Sequence, residues 1–200
     1  GCTKRLAEIY VQSLGLAVEN GSKEGKTKFV TTRFGNVLGS NGSVIPRFRE
    51  QIEKGGPVTV TDRNIVRFFM TIPEACRLVM EAATLPTENR ICVFDMGKPV
   101  KIDTLARRMI ELSGLKPDVD IPIVYTGLRP GEKLYEEVLS NVENTEPTAH
   151  AKIRIARVRE YDFHEADMAV DKLESLSRDV QIPEMVKYMK QVVPEYVSNN

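Results

Sequence analysis

Two hydrophobic periods alternate along the chain. Leu6, Ile9, Tyr10, Ser13, Leu14 and Ala17 recur at spacings of three and four, which puts them on one face of a helix, and Asn20-Gly21 supplies a stop. Lys28-Phe29-Val30-Thr31-Thr32-Arg33-Phe34 concentrates β-branched and aromatic residues, as a strand does, and Gly35-Asn36 ends it. The turn-forming cluster Gly39-Ser40-Asn41-Gly42-Ser43 leads into a predicted helix from about Val44 to Lys54, with Pro46 tolerated in its first turn and Gly55-Gly56 closing it. Val58-Thr59-Val60 reads as a short strand, and Arg67-Phe68-Phe69-Met70 is strand-like. Thr71-Ile72-Pro73-Glu74 then forms a capping box with proline at the first helical position, so a helix is expected to run to about Ala83.

Further on, Ile91-Cys92-Val93-Phe94 is a short apolar run of strand type, and Asp103 is placed to cap a helix that ends at Ser113-Gly114. Ile121-Pro122-Ile123-Val124-Tyr125 is a further strand, its proline pointing to an edge or a strand start. The polar loop Gly127-Leu128-Arg129-Pro130-Gly131-Glu132 follows, and beyond Lys152-Ile153-Arg154-Ile155-Ala156 the chain turns mostly helical, punctuated by Pro183 and Pro194. Strands and helices alternating in this way indicate an α/β protein. No GxGxxG follows an opening strand, and Gly35-Asn36-Val37-Leu38-Gly39 is not a phosphate loop of that kind.

Composition narrows the classes. Hydrophobic residues make up 42% and charged residues 28%, the balance of a folded globular protein. Lys+Arg and Asp+Glu both number 28, so no whole-molecule field draws the chain to nucleic acid or to an anionic membrane, and any anion site must be local. The 3 cysteines are odd in number and form no CxxC pair, which argues against a disulfide framework or a zinc site, and His150 and His164 have no partner at metal spacing. No apolar stretch or signal segment indicates membrane contact or export, so a cytoplasmic setting is expected. The chain opens at Gly1 directly on a helical pattern, from which a piece of a longer protein is expected, with further motifs upstream.

Five segments together resemble one family: Gly1-Cys2-Thr3-Lys4-Arg5-Leu6-Ala7-Glu8, Arg33-Phe34-Gly35-Asn36-Val37-Leu38-Gly39, Ser43-Val44-Ile45-Pro46, Arg67-Phe68-Phe69-Met70-Thr71 and Leu128-Arg129-Pro130-Gly131-Glu132-Lys133. In order and spacing they are similar to the extended short-chain dehydrogenase/reductase superfamily, nearest to the bacterial polysaccharide-biosynthesis (capsule) subfamily of UDP-N-acetylglucosamine 4,6-dehydratases. The resemblance covers about residues 1 to 158, and residues 159 to 200 form a mostly helical tail outside it. It implies the C-terminal portion of an NAD(P)-binding, Rossmann-like α/β fold with its small substrate-binding subdomain, the first Rossmann half lying upstream.

What the resemblance implies about function is specific. The complete enzyme would be a lyase holding NAD or NADP, which oxidises sugar carbon 4, eliminates water and returns the hydride to carbon 6, feeding capsule or lipopolysaccharide synthesis. It would be a homo-oligomer in the cytoplasm or anchored at the inner membrane's cytoplasmic face, and residues 1–200 alone would be inactive. Lys4 occupies the lysine of the superfamily's Tyr-x-x-x-Lys pair, whose tyrosine position immediately precedes Gly1. The resemblance makes Lys4 catalytic and a ligand of the nicotinamide ribose, whereas helix geometry alone makes it a solvated lysine, with Glu8 one turn on as an ion-pair partner. Arg67 and Arg129 fall to the UDP diphosphate and its ribose, since a guanidinium's forked donors match phosphate oxygens. Glu132 either accepts from a sugar hydroxyl or holds Arg129, and Asn36 either contacts substrate or forms a turn beside Gly35. Ser43, Val44 and Ile45, with Pro46 and Phe48, form the uracil-side wall, or else Val44, Ile45 and Phe48 are core. Two other functions fit the same residues: a nucleotide-sugar 4-epimerase, and a non-catalytic nucleotide-sugar-binding module.

Overall fold

The helical and extended periods resolve into six helices and ten short strands among the residues that the computed structural model describes, 1–86, 89–135 and 145–196. In chain order they begin with α1 (Cys2–Glu19), β1 (Thr31–Arg33), β2 (Asn36–Val37), α2 (Val44–Glu53), β3 (Val58–Val60), β4 (Val66–Arg67), β5 (Phe69–Met70) and α3 (Ile72–Thr84). They continue with β6 (Ile91–Phe94), β7 (Val100–Lys101), α4 (Ile102–Leu112), β8 (Ile123–Tyr125), β9 (Thr145–Pro147), β10 (Ile153–Ala156), α5 (Phe163–Arg178) and α6 (Ile182–Val192). The chain divides into two compact units, residues 1–33, 80–93 and 141–200 forming the first and residues 34–79 and 94–140 the second.

The first unit holds a four-stranded sheet of order β1-β6-β10-β9. β1 and β6 run parallel, with Thr31 opposite Ile91 and Arg33 opposite Val93, while β10 and β9 run antiparallel. Ile91, Cys92 and Val93 are buried on both faces, the signature of a covered parallel strand. The two helices after residue 158 do not stand apart from this unit. Asp162 caps α5 by accepting from the backbone N–H groups of His164 and Glu165. The Tyr10 ring on α1 packs 5.7 Å from that of Phe163, its hydroxyl reaches Asp167 at 3.2 Å, and Ile9, Ala166, Met189 and Val193 share one core.

In the second unit β3 and β8 pair in parallel, Val58 opposite Ile123 and Val60 opposite Tyr125, and α2 and α4 pack over them. Val58 and Val60 point into a core with Phe48, Ile65, Ala106 and Ile110, and Thr59 between them points the other way, as the two-residue period of a strand requires. Burying Phe48 alone contributes about 1.5–3 kcal/mol. β2 pairs in parallel with β5 and β4 antiparallel with β7.

Three expectations are corrected here. The strand expected over 28–34 is confined to 31–33, because only these residues find partners on β6. The run 67–70 is two strands rather than one: β4 and β5 serve different partners, and Phe68 between them turns its carbonyl to Asn36. Asp103 does not cap α4. That helix starts one residue earlier at Ile102, with Lys101 at the N-cap, and the Asp103 carboxylate is drawn instead to Tyr125 and Arg107.

Candidate functional site

The segments that carry the resemblance in the second unit converge on one cavity of about 280 Å³. Its floor is set by α2. Ser43 holds the N-cap with extended backbone but makes no side-chain cap, and its buried Oγ has no hydrogen-bond partner. Val44 and Phe48, four residues apart and so on one face of the helix, line the cavity. Ile45 does not: a further 100° round the helix turns it off the cavity, which corrects its place in the expected wall.

Asn36 reaches the cavity from β2, and a close approach of backbone fixes it there. Phe68 O accepts both the Asn36 backbone N–H at 3.0 Å and its side-chain amide at 3.2 Å. The preceding Gly35 must be glycine, since a Cβ there would stand 2.7 Å from Met96 Sδ and 3.0 Å from that same carbonyl.

Arg67, at the end of β4, is anchored before any ligand arrives. Its Nη1 donates to Val66 O at 2.7 Å and to Leu134 O at 3.4 Å, and its Nη2 to Glu132 Oε1 at 3.4 Å. Glu132 also accepts from the Thr61 hydroxyl at 3.2 Å and from the Arg129 backbone N–H at 3.1 Å. Glu132 therefore holds the Arg129 loop through its backbone, while the Arg129 side chain lies exposed at the cavity. Of the two roles open to Glu132, the structure displays the holding one, and leaves the carboxylate 21% exposed.

The strand that launches this loop is clamped from behind. Asp103 accepts from the Tyr125 hydroxyl at 2.5 Å and from Arg107 at 3.1 Å, and Arg107 also donates to Asp118 at 2.7 Å. That hydrogen bond from Arg107 holds the Asp118 carboxyl below the usual carboxylate range, and in return keeps Arg107 firmly charged. The clamp ties α4 to both ends of β8, two residues before Gly127 opens the loop.

Three lining residues carry no signal in the motifs: Arg47, Thr59 and Thr61. With Arg47 the cavity collects three guanidinium groups against the single carboxylate of Glu132, so it is an anion-attracting pocket within a chain of zero net charge. The first unit has a larger hollow, about 1210 Å³, whose walls mix Lys26, Lys28 and Arg90 with Glu19, Glu160 and Asp162 and present no single-sign field.

Lys4 belongs to the first unit, exposed on α1. Glu8 is not its partner. Arg33 takes that carboxylate with both arms of its fork, at 2.6 and 2.5 Å, and Arg5 approaches it at 3.4 Å. A planar, bidentate guanidinium outcompetes a flexible ammonium for such a site, and the Lys4 ammonium is left unneutralised among the described residues. Among the described residues no three His, Cys, Asp or Glu side chains group to hold a metal, and no helix is long and apolar enough to cross a membrane.

Comparison with known proteins bears on this geometry. Residues 1–158 match the family described as polysaccharide biosynthesis protein. The chain is 53% identical over 173 residues to the capsular polysaccharide biosynthesis protein CapD of Staphylococcus aureus, covering 86% of this chain and 28% of that protein. It is 52% identical over 163 residues to the probable polysaccharide biosynthesis protein EpsC of Bacillus subtilis, covering 82% and 26%. The X-ray structure of Pen from Bacillus thuringiensis is similar with a TM-score of 0.61 and 33% sequence identity, over 72% of this chain and 45% of that one. The chain thus spans between 26% and 28% of the length of these two curated relatives.

Proposed function

Because the chain belongs to the polysaccharide biosynthesis protein family and has the Rossmann-like α/β fold of the extended short-chain dehydrogenases/reductases, we propose that it forms the sugar-nucleotide-binding part of a nucleotide-sugar 4,6-dehydratase. The observation that carries the reading is the cavity of the second unit, where three guanidinium groups, one carboxylate and an unpartnered buried hydroxyl surround an apolar wall. A UDP-sugar of the UDP-N-acetylglucosamine type has the matching parts: a diphosphate for Arg67 and Arg129, hydroxyls for Glu132 and Ser43, and a flat base for Val44 and Phe48. Arg67 is preorganised by two carbonyls and a carboxylate, so little side-chain entropy remains to be lost on binding.

Lys4 is the residue of this chain suited to the cofactor, because its ammonium is exposed and Glu8 is already satisfied by Arg33. It would hold the nicotinamide ribose hydroxyls and favour deprotonation of a neighbouring acid. NAD, when bound, supplies the hydride acceptor that makes elimination from the sugar accessible. The 4-keto-6-deoxy product would enter polysaccharide assembly.

The test is to incubate the complete gene product with UDP-N-acetylglucosamine and NAD and follow the sugar by mass spectrometry. Loss of one water with appearance of a 4-keto group is the expected result. A product of unchanged mass and altered configuration would make it an epimerase, and nucleotide binding without turnover would make it a binding module.

A further inference from the structure

The cavity has two polar ends, carried by two threonines of one strand about 6.6 Å apart along an extended backbone. At the Thr61 end stand Glu132, Arg67 and Arg129. The Thr59 end is different in kind. The Thr59 backbone N–H can only donate, so the group facing it at 3.1 Å is the carbonyl oxygen of Gln51, and the Gln51 amide nitrogen must then be the group 2.8 Å from Thr59 Oγ1. Arg47 Nη2 donates to the same oxygen at 3.2 Å.

A hydroxyl has two lone pairs and one proton. Gln51 and Arg47 occupy both lone pairs, so any further bond from Thr59 is a donated one. Arg47 has no acceptor at all. These two cavity-lining side chains therefore offer a ligand donors and nothing else, beside the apolar surface of Val44 and Phe48 and with no carboxylate at this end.

From this juxtaposition we infer that Arg47 and Thr59 form the corner that reads the nucleobase, and that they select a ring carbonyl, as at the 4-position of uracil, over the exocyclic amino group of cytosine. The inference rests on the nucleotide reading above and extends it to base specificity. An amino group brought to this corner meets donors with donors. The Thr59 proton and the Arg47 N–H groups lose water and gain no acceptor, which is the situation in which a polar site discriminates most strongly.

UDP and CDP share ribose and diphosphate and differ only along one edge of the base, so calorimetric titration of the chain with each separates the claims. UDP is expected to bind at least about tenfold tighter than CDP, the scale set by one charge-assisted hydrogen bond. Thr59→Val, which keeps the side-chain shape, and Arg47→Leu are each expected to bring the ratio within about threefold, chiefly by weakening UDP. Equal wild-type affinities for UDP and CDP would overturn the corner and leave the diphosphate reading standing. A ratio unchanged in both variants would likewise overturn it, whereas no UDP binding at all would remove the nucleotide reading and this inference together. The wild-type comparison does not depend on either variant folding.

Discussion

Arg67 and Arg129 differ in what holds them, and their substitutions should differ accordingly. The Arg129 side chain is exposed and only its backbone is engaged, so Arg129→Ala removes a ligand contact and little else. Its UDP affinity is expected to fall by roughly 1.5–3 kcal/mol, the value of a hydrogen bond to a charged group, with thermal stability unchanged. Arg67→Ala should lose a similar amount of affinity and also melt lower, because it leaves Glu132, only 21% exposed, without its cation. Calorimetry paired with melting curves distinguishes the two; equal melting temperatures would mean that Arg67 does not anchor the loop. Lys4→Met in the complete gene product is expected to lower turnover by about 10²-fold with no loss of stability, since Lys4 holds no ion pair among the described residues. Turnover unchanged in the folded variant would return Lys4 to the solvated surface. Arg129 and Glu132 were legible because a Pro-Gly loop advertises them. Arg47 was not, because in Arg47-Phe48-Arg49-Glu50 it reads as one of several solvated helix charges. Thr59 and Thr61 were hidden for a related reason: they read as the outward face of a strand whose inward face is Val58 and Val60, and only the fold reveals that this outward face borders a cavity.

At the scale of elements, the account turns on what fixes β8 and the β2 turn. The Asp118 carboxyl is held low by Arg107, so its protonation costs stability only when the pH falls through that lowered value. The contribution is fully present above the ordinary aspartate pKa of about 3.9 and is lost on the acid side of it. Melting temperatures recorded from about pH 5 to about pH 2 should fall less steeply for Asp118→Asn than for the wild type. Parallel curves would remove Asp118 from the clamp. Gly35→Ala should destabilise by about 1–3 kcal/mol, because its Cβ meets the fixed Phe68 carbonyl as well as the mobile Met96 side chain. Denaturant unfolding with an unchanged midpoint would show that the turn yields. Helix positions were readable from periodicity and capping, as at α1 and at Thr71-Ile72-Pro73-Glu74, where the Glu74 N–H does reach the Thr71 hydroxyl. Strand limits were not, because a strand extends only where a partner lies beside it, and the partners of 31–33 and 66–70 come from distant sequence. Asp103 misled for a similar reason. Its carboxylate suited a cap, but Tyr125 and Arg107 offered better donors.

For the whole molecule, alternating periods were enough to indicate an α/β class, and the family match agrees with the motifs quoted from residues 1 to 158. The division into units was beyond local reading, since the first is assembled from three separate stretches, 1–33, 80–93 and 141–200, with the terminal helices closing on α1. That arrangement puts Lys4 in one unit and the nucleotide cavity in the other, so a titration that resolves individual residues tests the central assignment most directly. In heteronuclear NMR of the isotope-labelled chain, added UDP should shift the amide signals of Asn36, Gly42, Thr59, Thr61 and Glu132, with little change along the hollow bounded by Lys26, Arg90 and Asp162. Shifts confined to that hollow, or no saturable shift at any of the five cavity residues, would contradict the assignment.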